Sequence, residues 1–176
     1  MGFEGMWIHG PFKLQTEYMK SELGRMAIAP VVVDPDNFDY SSWYVSGVWN
    51  ISGENFGYKG GVPTTPLPNN PGMGMFQLAV RYDHVDLNDG SVDFSTPTPT
   101  VHGLLGGKED NWTIGVNWYW RSNFKFALNY VNVNSEKYTT KTSATFSHDP
   151  AWNNKVVNDY LEDNPDIIEF RAQFYW

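Results

Sequence analysis

The sequence predicts an all-β fold, an antiparallel transmembrane β-barrel, on the basis of three observations. Apolar and polar residues alternate along several segments, as they do in strands that separate lipid from a polar lumen. Aromatic residues make up 16% of the 176 residues while only 18% are charged, which is unusual for a soluble domain. Tight turns and long polar connections alternate along the chain, as they do in outer-membrane barrels.

A helical route across a membrane is excluded by the sequence. The longest apolar stretch, over 26–33, is interrupted by Pro30 and is far shorter than the roughly 20 apolar residues of a transmembrane helix. The mean hydropathy of -0.46 is compatible with a barrel, because lipid-facing and lumen-facing residues alternate and their average is low. Strands are therefore the predicted means of crossing the bilayer.

Period-two alternation defines about seven strands. In the clearest example, the apolar residues Phe76, Leu78 and Val80 are interleaved with Gln77, Ala79 and Arg81. The other predicted strands cover residues 3–9, 12–18, 43–51, 112–120, 124–130 and 168–176. The full strands that contain these segments are expected to measure roughly 8 to 13 residues, and about 9 to 11 suffice to cross a bilayer at a tilt.

The connections differ in length on the two sides of the predicted barrel. Gly10-Pro11 and Arg121-Ser122-Asn123 are read as tight periplasmic turns, whereas the outer connections are expected to be long and polar, over 24–40, 87–110 and 135–166. The connection over 52–73 is an exception, because its position is periplasmic and yet it is long.

Two sets of residues follow from the alternation. The polar positions expected to face a pore are Lys13, Gln15, Glu17, Arg81, Asp83, Lys125, Glu169 and Arg171. Their charges nearly balance, which is typical of a general pore and differs from the basic rings of an anion pore. For each of them, pairing with a neighbouring strand is the alternative interpretation. The aromatics expected at the lipid interface are Trp112, Trp118, Trp120, Phe174 and Trp176.

Motifs for chemistry are nearly absent from the sequence. There is no cysteine, and the histidines, His9, His84, His102 and His148, lack metal-ligand spacing. The Gly106-Gly107-Lys108 string lacks the spacing of a phosphate-binding loop, and no Gly-x-Ser-x-Gly motif occurs. We therefore predict that the protein is not an enzyme and that it binds no metal, cofactor or nucleic acid.

The formal net charge of -8 is not read as evidence for a cation pore. The acidic residues fall mostly in the predicted connections, at Asp34, Asp36, Asp39, Asp86, Asp89, Asp93, Asp149, Asp159, Glu162, Asp163 and Asp166. Such exposed carboxylates are expected to be solvated. The alternative is that these carboxylates hold divalent cations near lipopolysaccharide phosphates, because hard cations favour oxygen ligands.

Several strings resemble the phosphate-selective porin O and P family, and their order along the chain makes the match. They lie at 10–18, 43–47 with 52–54, 78–83, 106–108 with 113–119, 129–131 and 171–174. The resemblance covers the whole of residues 1–176 as the C-terminal portion of a porin barrel, without a separate second domain. It implies the last seven or so strands of a sixteen-stranded trimeric barrel in the bacterial outer membrane.

The same resemblance implies passive passage of small solutes, with anions such as phosphate or polyphosphate among them. It also implies outer-membrane lipid and lipopolysaccharide as surroundings, the barrel assembly machinery as a partner, and a homotrimer for the full-length protein. The family's constriction loop and much of its basic ladder lie in the N-terminal half, which this sequence does not contain. Anion specificity is therefore not carried over to these residues.

Two further alternatives bear on the fold. A secreted, soluble β-sandwich that binds carbohydrate would also show alternation and aromatic residues. Seven strands cannot close a sixteen-stranded barrel, and bacterial single-chain barrels use even strand numbers, so we expect the sequence to be partial and not to form a pore by itself. An extra strand within 97–106 would permit a small closed barrel of eight strands instead.

Overall fold

The computed structural model describes residues 1–24, 37–69, 72–95, 99–121, 123–139 and 159–174, and the regular structure in these ranges is all β. The strands are β1 (Gly2–His9), β2 (Phe12–Leu23), β3 (Phe38–Asn50), β4 (Gly57–Lys59), β5 (Val62–Thr64), β6 (Met75–Asp93), β7 (Thr100–Arg121), β8 (Phe124–Thr139), β9 (Asp159–Asp163) and β10 (Asp166–Phe174). No helix in these ranges is able to span a membrane.

One eight-stranded antiparallel sheet contains every strand except β4 and β5, which pair with each other. Its order is β1-β2-β3-β6-β7-β8-β10, and β9 pairs with β8 beyond β10. The predicted all-β antiparallel fold is thus confirmed. Among the described residues the sheet is open, with β1 at one edge and β9 and β10 at the other, and the closed barrel stays a prediction.

The two ends of the sheet differ. The end with the connections β1–β2, β3–β6 and β7–β8 is called the turn end here, and the opposite end is called the loop end. At the turn end, β1 stops at His9 and β2 starts at Phe12, as predicted, because Gly10 adopts a positive φ of 55° that a tight turn requires. β7 and β8 are likewise separated by only two residues, 122 and 123.

The alternation in the sequence gives the sheet two faces, and on several strands the apolar side chains are more exposed than the polar ones between them. In β2, Phe12, Leu14 and Tyr18 are exposed, whereas Lys13 and Gln15 between them are half-buried. Exposed large apolar side chains occur on every strand of the sheet, and the buried hydrophobic residues of the described ranges are Met75, Ala127 and Tyr138. A soluble protein would bury its apolar face.

The β-sandwich alternative is not supported by this arrangement. A sandwich packs the apolar faces of two sheets against each other, but in the described residues the apolar face of the large sheet is covered by no second layer. Ile168 and Phe170 on β10 are 77% and 71% exposed, and Leu128 on β8 is 52% exposed. The sheet has the exposure of a wall that needs lipid around it.

Within the described residues, the seven predicted strand segments lie in strands of the sheet except at Ile51, but several strands are longer than predicted. The connection expected over 87–110 is mostly a hairpin, since β6 continues to Asp93 and β7 begins at Thr100. Residues 100–106 are the start of β7, so the separate strand suggested within 97–106 is wrong for them. Similarly, β8 reaches Thr139, so the beginning of the connection expected over 135–166 is strand. Ile51, expected at the end of a strand, lies in a turn.

The acidic residues assigned to connections are also placed differently. Eight of them lie in strands near the loop end, namely Asp39, Asp86, Asp89, Asp93, Asp159, Glu162, Asp163 and Asp166. The other three, Asp34, Asp36 and Asp149, lie outside the described residues. Within the described ranges, no three acidic or histidine side chains converge on a position for a metal ion.

Candidate functional site

The strand register brings the polar positions of all the strands onto one surface, which we call the polar face. Lys13 on β2 lies opposite Val48, which lies opposite Ala79, and this row continues to Gly115, Asn129 and Glu169. The parallel row from Gln15 passes through Ser46, Arg81 and Thr113. The candidate pore positions all share this face: Lys13, Gln15, Glu17, Arg81, Asp83, Lys125, Glu169 and Arg171.

Charged groups on the polar face are connected to polar neighbours. The single Nε–H of Arg81 is shared between the two carboxylate oxygens of Asp83, each 2.8 Å from Nε, and the guanidinium carbon lies 3.9 Å from the ring centroid of Tyr44. Gln15 donates from Nε2 to the Tyr44 hydroxyl at 2.9 Å. This cluster therefore links β2, β3 and β6, and it compensates one cation with one anion.

The opposite surface, which we call the apolar face, carries two bands of aromatic residues. Near the turn end the rings of Phe76, Trp118 and Phe126 stack in series, with centroids 5.7 and 5.5 Å apart, and Phe124 contacts Phe174 at 5.1 Å. The other members of this band are Phe12, Trp49, Trp120 and Phe170. This is the arrangement of a girdle at a membrane interface.

A second aromatic band crosses the apolar face toward the loop end. Tyr82 lies between Trp43 and Trp112, with ring centroids 5.2 and 4.9 Å away, and its hydroxyl donates to Asp110 at 2.5 Å. Aliphatic residues fill the space between the bands, including Leu14, Val45, Leu78, Val80, Ile114, Val116, Leu128 and Ile168. From Trp112 to Trp120 the bands are about 26 Å apart along β7 at about 3.3 Å per residue. At the strand tilt of about 35–45° in outer-membrane barrels this corresponds to a height of roughly 20 Å, somewhat less than their apolar band of about 25 Å.

Four of the five predicted interface aromatics fall into these two bands. Trp118, Trp120 and Phe174 belong to the turn-end band, and Trp112 belongs to the loop-end band. Trp176 lies outside the described residues. Sequence reasoning missed the loop-end band as a whole, although the Trp43, Tyr82 and Trp112 positions were visible in the alternation.

The structure of the long connection between β3 and β6 was not predicted from the sequence. Its first part, residues 51–69, contains the β4–β5 hairpin and lies against the polar face at the turn end. Asn50, Met75 and Gln77 of the polar face are 0%, 0% and 4% exposed. The Lys13 Nζ lies 5.8 Å from the ring centroid of Phe56. The side chain of Thr65 forms a hydrogen bond with Tyr119.

Glu54 is at the centre of this contact and is only 2% exposed. Its carboxylate accepts hydrogen bonds from the Ser52 hydroxyl at 2.5 Å and from the Asn69 backbone N–H at 2.9 Å. Its backbone carbonyl accepts one from Asn50 Nδ2 at 2.6 Å. Burial raises the pKa of the Glu54 carboxyl, but the hydrogen bonds from Ser52 and Asn69 outweigh it and hold the pKa below its ordinary value.

Comparison with known proteins agrees with the geometry. A family model described as "Phosphate-selective porin O and P" matches residues 1–176. The chain is similar to Porin O of Pseudomonas aeruginosa, with 30% identity over 140 residues, covering 78% of this chain and 30% of Porin O. An uncharacterized protein of Caulobacter vibrioides is 36% identical over 84 residues, covering 46% of this chain and 15% of that protein.

The chain thus spans about 30% of the length of Porin O. The two-faced sheet, with polar residues on one side and exposed apolar residues between aromatic bands on the other, is what an outer-membrane porin wall requires. The match of the family model over the whole chain and the similarity to Porin O lead to the same conclusion. This chain belongs to the phosphate-selective porin O and P family.

Proposed function

We propose that the sheet is part of the wall of a passive diffusion channel in the bacterial outer membrane, closed into a barrel, with its polar face toward the lumen. The observation that carries this proposal is that the large apolar side chains of the sheet are exposed on one face. Lipid is the environment in which such a face is stable. On this proposal, the aromatic bands contact outer-membrane lipid and lipopolysaccharide. Insertion then depends on the barrel assembly machinery, and the full-length protein is a homotrimer.

The proposed permeants are small polar solutes, including anions such as phosphate or polyphosphate. Basic and acidic residues alternate on the polar face, as in Arg81 beside Asp83, and Glu169 lies two residues from Arg171 on β10. Mixed charges of this kind orient water and polar solutes without a strong sign preference. This portion of the wall is therefore proposed to pass solutes and to contribute little to the choice between anions and cations.

Cysteine labelling tests the proposal directly, because the sequence contains no cysteine. Single cysteines at Arg81 and Asn129 on the polar face are expected to react with a charged, membrane-impermeant thiol reagent in intact outer membranes. Single cysteines at Val80 and Leu128, one residue away on the apolar face, are expected not to react. Equal labelling of both sets would contradict the assignment of faces, and a trimer-sized band that collapses on boiling would support the homotrimer.

A further inference from the structure

The segment 51–69 is connected to the polar face through a buried polar cluster. Asn50 Oδ1 accepts a hydrogen bond from Gln77 Nε2 at 2.8 Å, and its Nδ2 donates to the Glu54 carbonyl at 2.6 Å. The Ser52 hydroxyl accepts from the Phe76 backbone N–H at 3.0 Å while it donates to Glu54. The strands β3 and β6 are thereby linked to the beginning of the segment.

The Glu54 carboxylate also holds the other end of the segment. Its Oε1 accepts from the backbone N–H of Asn69 at 2.9 Å, which lies 15 residues later in the chain. Between these two points the chain leaves the wall and returns through the β4–β5 hairpin, where Tyr58 and Val62 are each 61% exposed. One side chain therefore closes the loop that carries the hairpin.

Glu54 is a buried acid that depends on hydrogen bonds for its charge. Among the described residues no lysine, arginine or histidine forms an ion pair with it. A buried carboxylate is costly unless hydrogen bonds satisfy it, and here two donors from opposite ends of the segment do so. While Glu54 is buried, its charge is therefore stabilised by donors from both ends of the segment.

We infer that Glu54 is the positioning residue that holds the segment 51–69 against the polar face and thereby narrows the turn-end mouth of the pore. The inference rests on the proposed function, which makes the polar face the lumen. Asn50, Met75 and Gln77 at the turn end of the polar face are almost fully buried, and Asn50 contacts the segment directly. On the rows further from the turn end, Gln15 is half-buried and Arg81 is exposed. Release of the segment widens the passage at that end.

The test compares the membrane-embedded porin containing this sequence with its Glu54→Gln variant. Glutamine keeps the size of the side chain and removes the charge. We expect amide hydrogen exchange in 51–69 to be faster by about tenfold or more, and single-channel conductance at neutral pH to rise. Ser52→Ala, which removes one donor, is expected to give a smaller increase in both. Asp93→Asn is the matched control, since Asp93 also accepts a backbone N–H, from Ser95 at 2.8 Å, but lies on the exposed loop-end hairpin.

A pH profile separates positioning from a general effect on folding. The titratable side chains of the segment and of the strands that it contacts include Lys13 on β2, Tyr58 and Lys59 on β4, and Tyr119 on β7, and Glu54 is the buried carboxylate among them. We therefore expect wild-type conductance to step up as the pH falls through the pKa of Glu54. The Glu54→Gln pore is expected to lack this step.

The outcomes are distinguishable. If the wild-type pore conducts and neither exchange in 51–69 nor conductance differs in Glu54→Gln, the inference is wrong although the proposed function stands. If exchange accelerates and conductance does not, Glu54 anchors the segment but the segment does not narrow the pore, which overturns the inference. If no pore forms at all in the wild type, the proposed function itself fails.

Discussion

The guanidinium carbon of Arg81 lies 3.9 Å from the ring centroid of Tyr44, while Nε of the same side chain donates to Asp83. Stacking on an aromatic ring and pairing with a carboxylate both hold an arginine in place. The cation is thus fixed on the polar face and its charge is compensated locally. On the proposed function, Arg81 therefore adds little net positive charge to the wall.

Replacing Arg81 or Asp83 is expected to shift ion selectivity in opposite directions. Arg81→Gln leaves Asp83 and Glu17 uncompensated, so the cation-to-anion permeability ratio should rise on the order of twofold, and Asp83→Asn should lower it similarly. Reversal potentials in a salt gradient measure the ratio. Lys20→Gln is the control, because Lys20 pairs with Asp39 near the loop end. Shifts of the same sign in both variants would contradict the paired arrangement.

Arginine is expected to be tolerated very differently at two adjacent positions of β8. Leu128→Arg places a charge on the apolar face, where Leu128 is 52% exposed, and should destabilise the folded porin by about 2–4 kcal/mol in lipid. Asn129→Arg places the same charge opposite Glu169 on the polar face, where a small effect is expected. Urea unfolding in lipid vesicles gives both free energies. Similar losses at the two positions would be inconsistent with lipid on one face only.

Glycine is required at Gly74 and not at Gly47. Gly74 has a φ of 80°, and a Cβ there would lie 2.4 Å from the Tyr119 carbonyl oxygen. Gly74→Ala should therefore lower the free energy of unfolding by at least about 1–2 kcal/mol. Gly47 lies in β3, and no atom of another part of the chain comes within 4 Å of the position that a Cβ would occupy, so Gly47→Ala should be neutral or slightly stabilising. The same unfolding measurement compares the two variants, and equal effects would contradict the geometry.

The loop-end hairpin contains a carboxylate whose titration should report its local order. The backbone N–H and hydroxyl of Ser95 hold the pKa of Asp93 below its ordinary value of 3.8. Because the folded pKa is depressed, this stabilisation of the hairpin tip is present above the ordinary value and is lost as the pH falls through the folded pKa. A carbon NMR titration should show the lowered pKa. Ser95→Ala should raise it partway, and Ser91→Ala, two residues before Asp93, serves as the control.

The sheet was predictable because lipid imposes a pattern on each strand that crosses it. Phe76, Leu78 and Val80 share one face and Gln77 and Arg81 the other in the structure, as the sequence indicated. Every strand between the aromatic bands has to satisfy the same two environments, so each one carries the signal in its own residues. The turn at residues 10–11 was likewise evident from its local composition.

The loop end and the segment 51–69 were not predictable for different reasons. Beyond the apolar band neither face of the β6–β7 hairpin needs to be apolar, so alternation disappears although the backbone ladder continues past the bulge at Asp86 and Asn88. The segment 51–69 depends on the contact between Glu54 and Asn69. Such a contact between polar residues distant in sequence produces no periodic pattern in the sequence.

The order of the strands has a consequence for how the protein reaches its folded state. From β2 to β8, each strand of the large sheet is hydrogen-bonded to the sheet strand that precedes it and to the one that follows it in the chain. No pairing therefore has to pass over another strand of the sheet, which limits the entropic cost of loop closure. Assembly is able to proceed hairpin by hairpin, because each new strand pairs with the edge strand that precedes it in the chain.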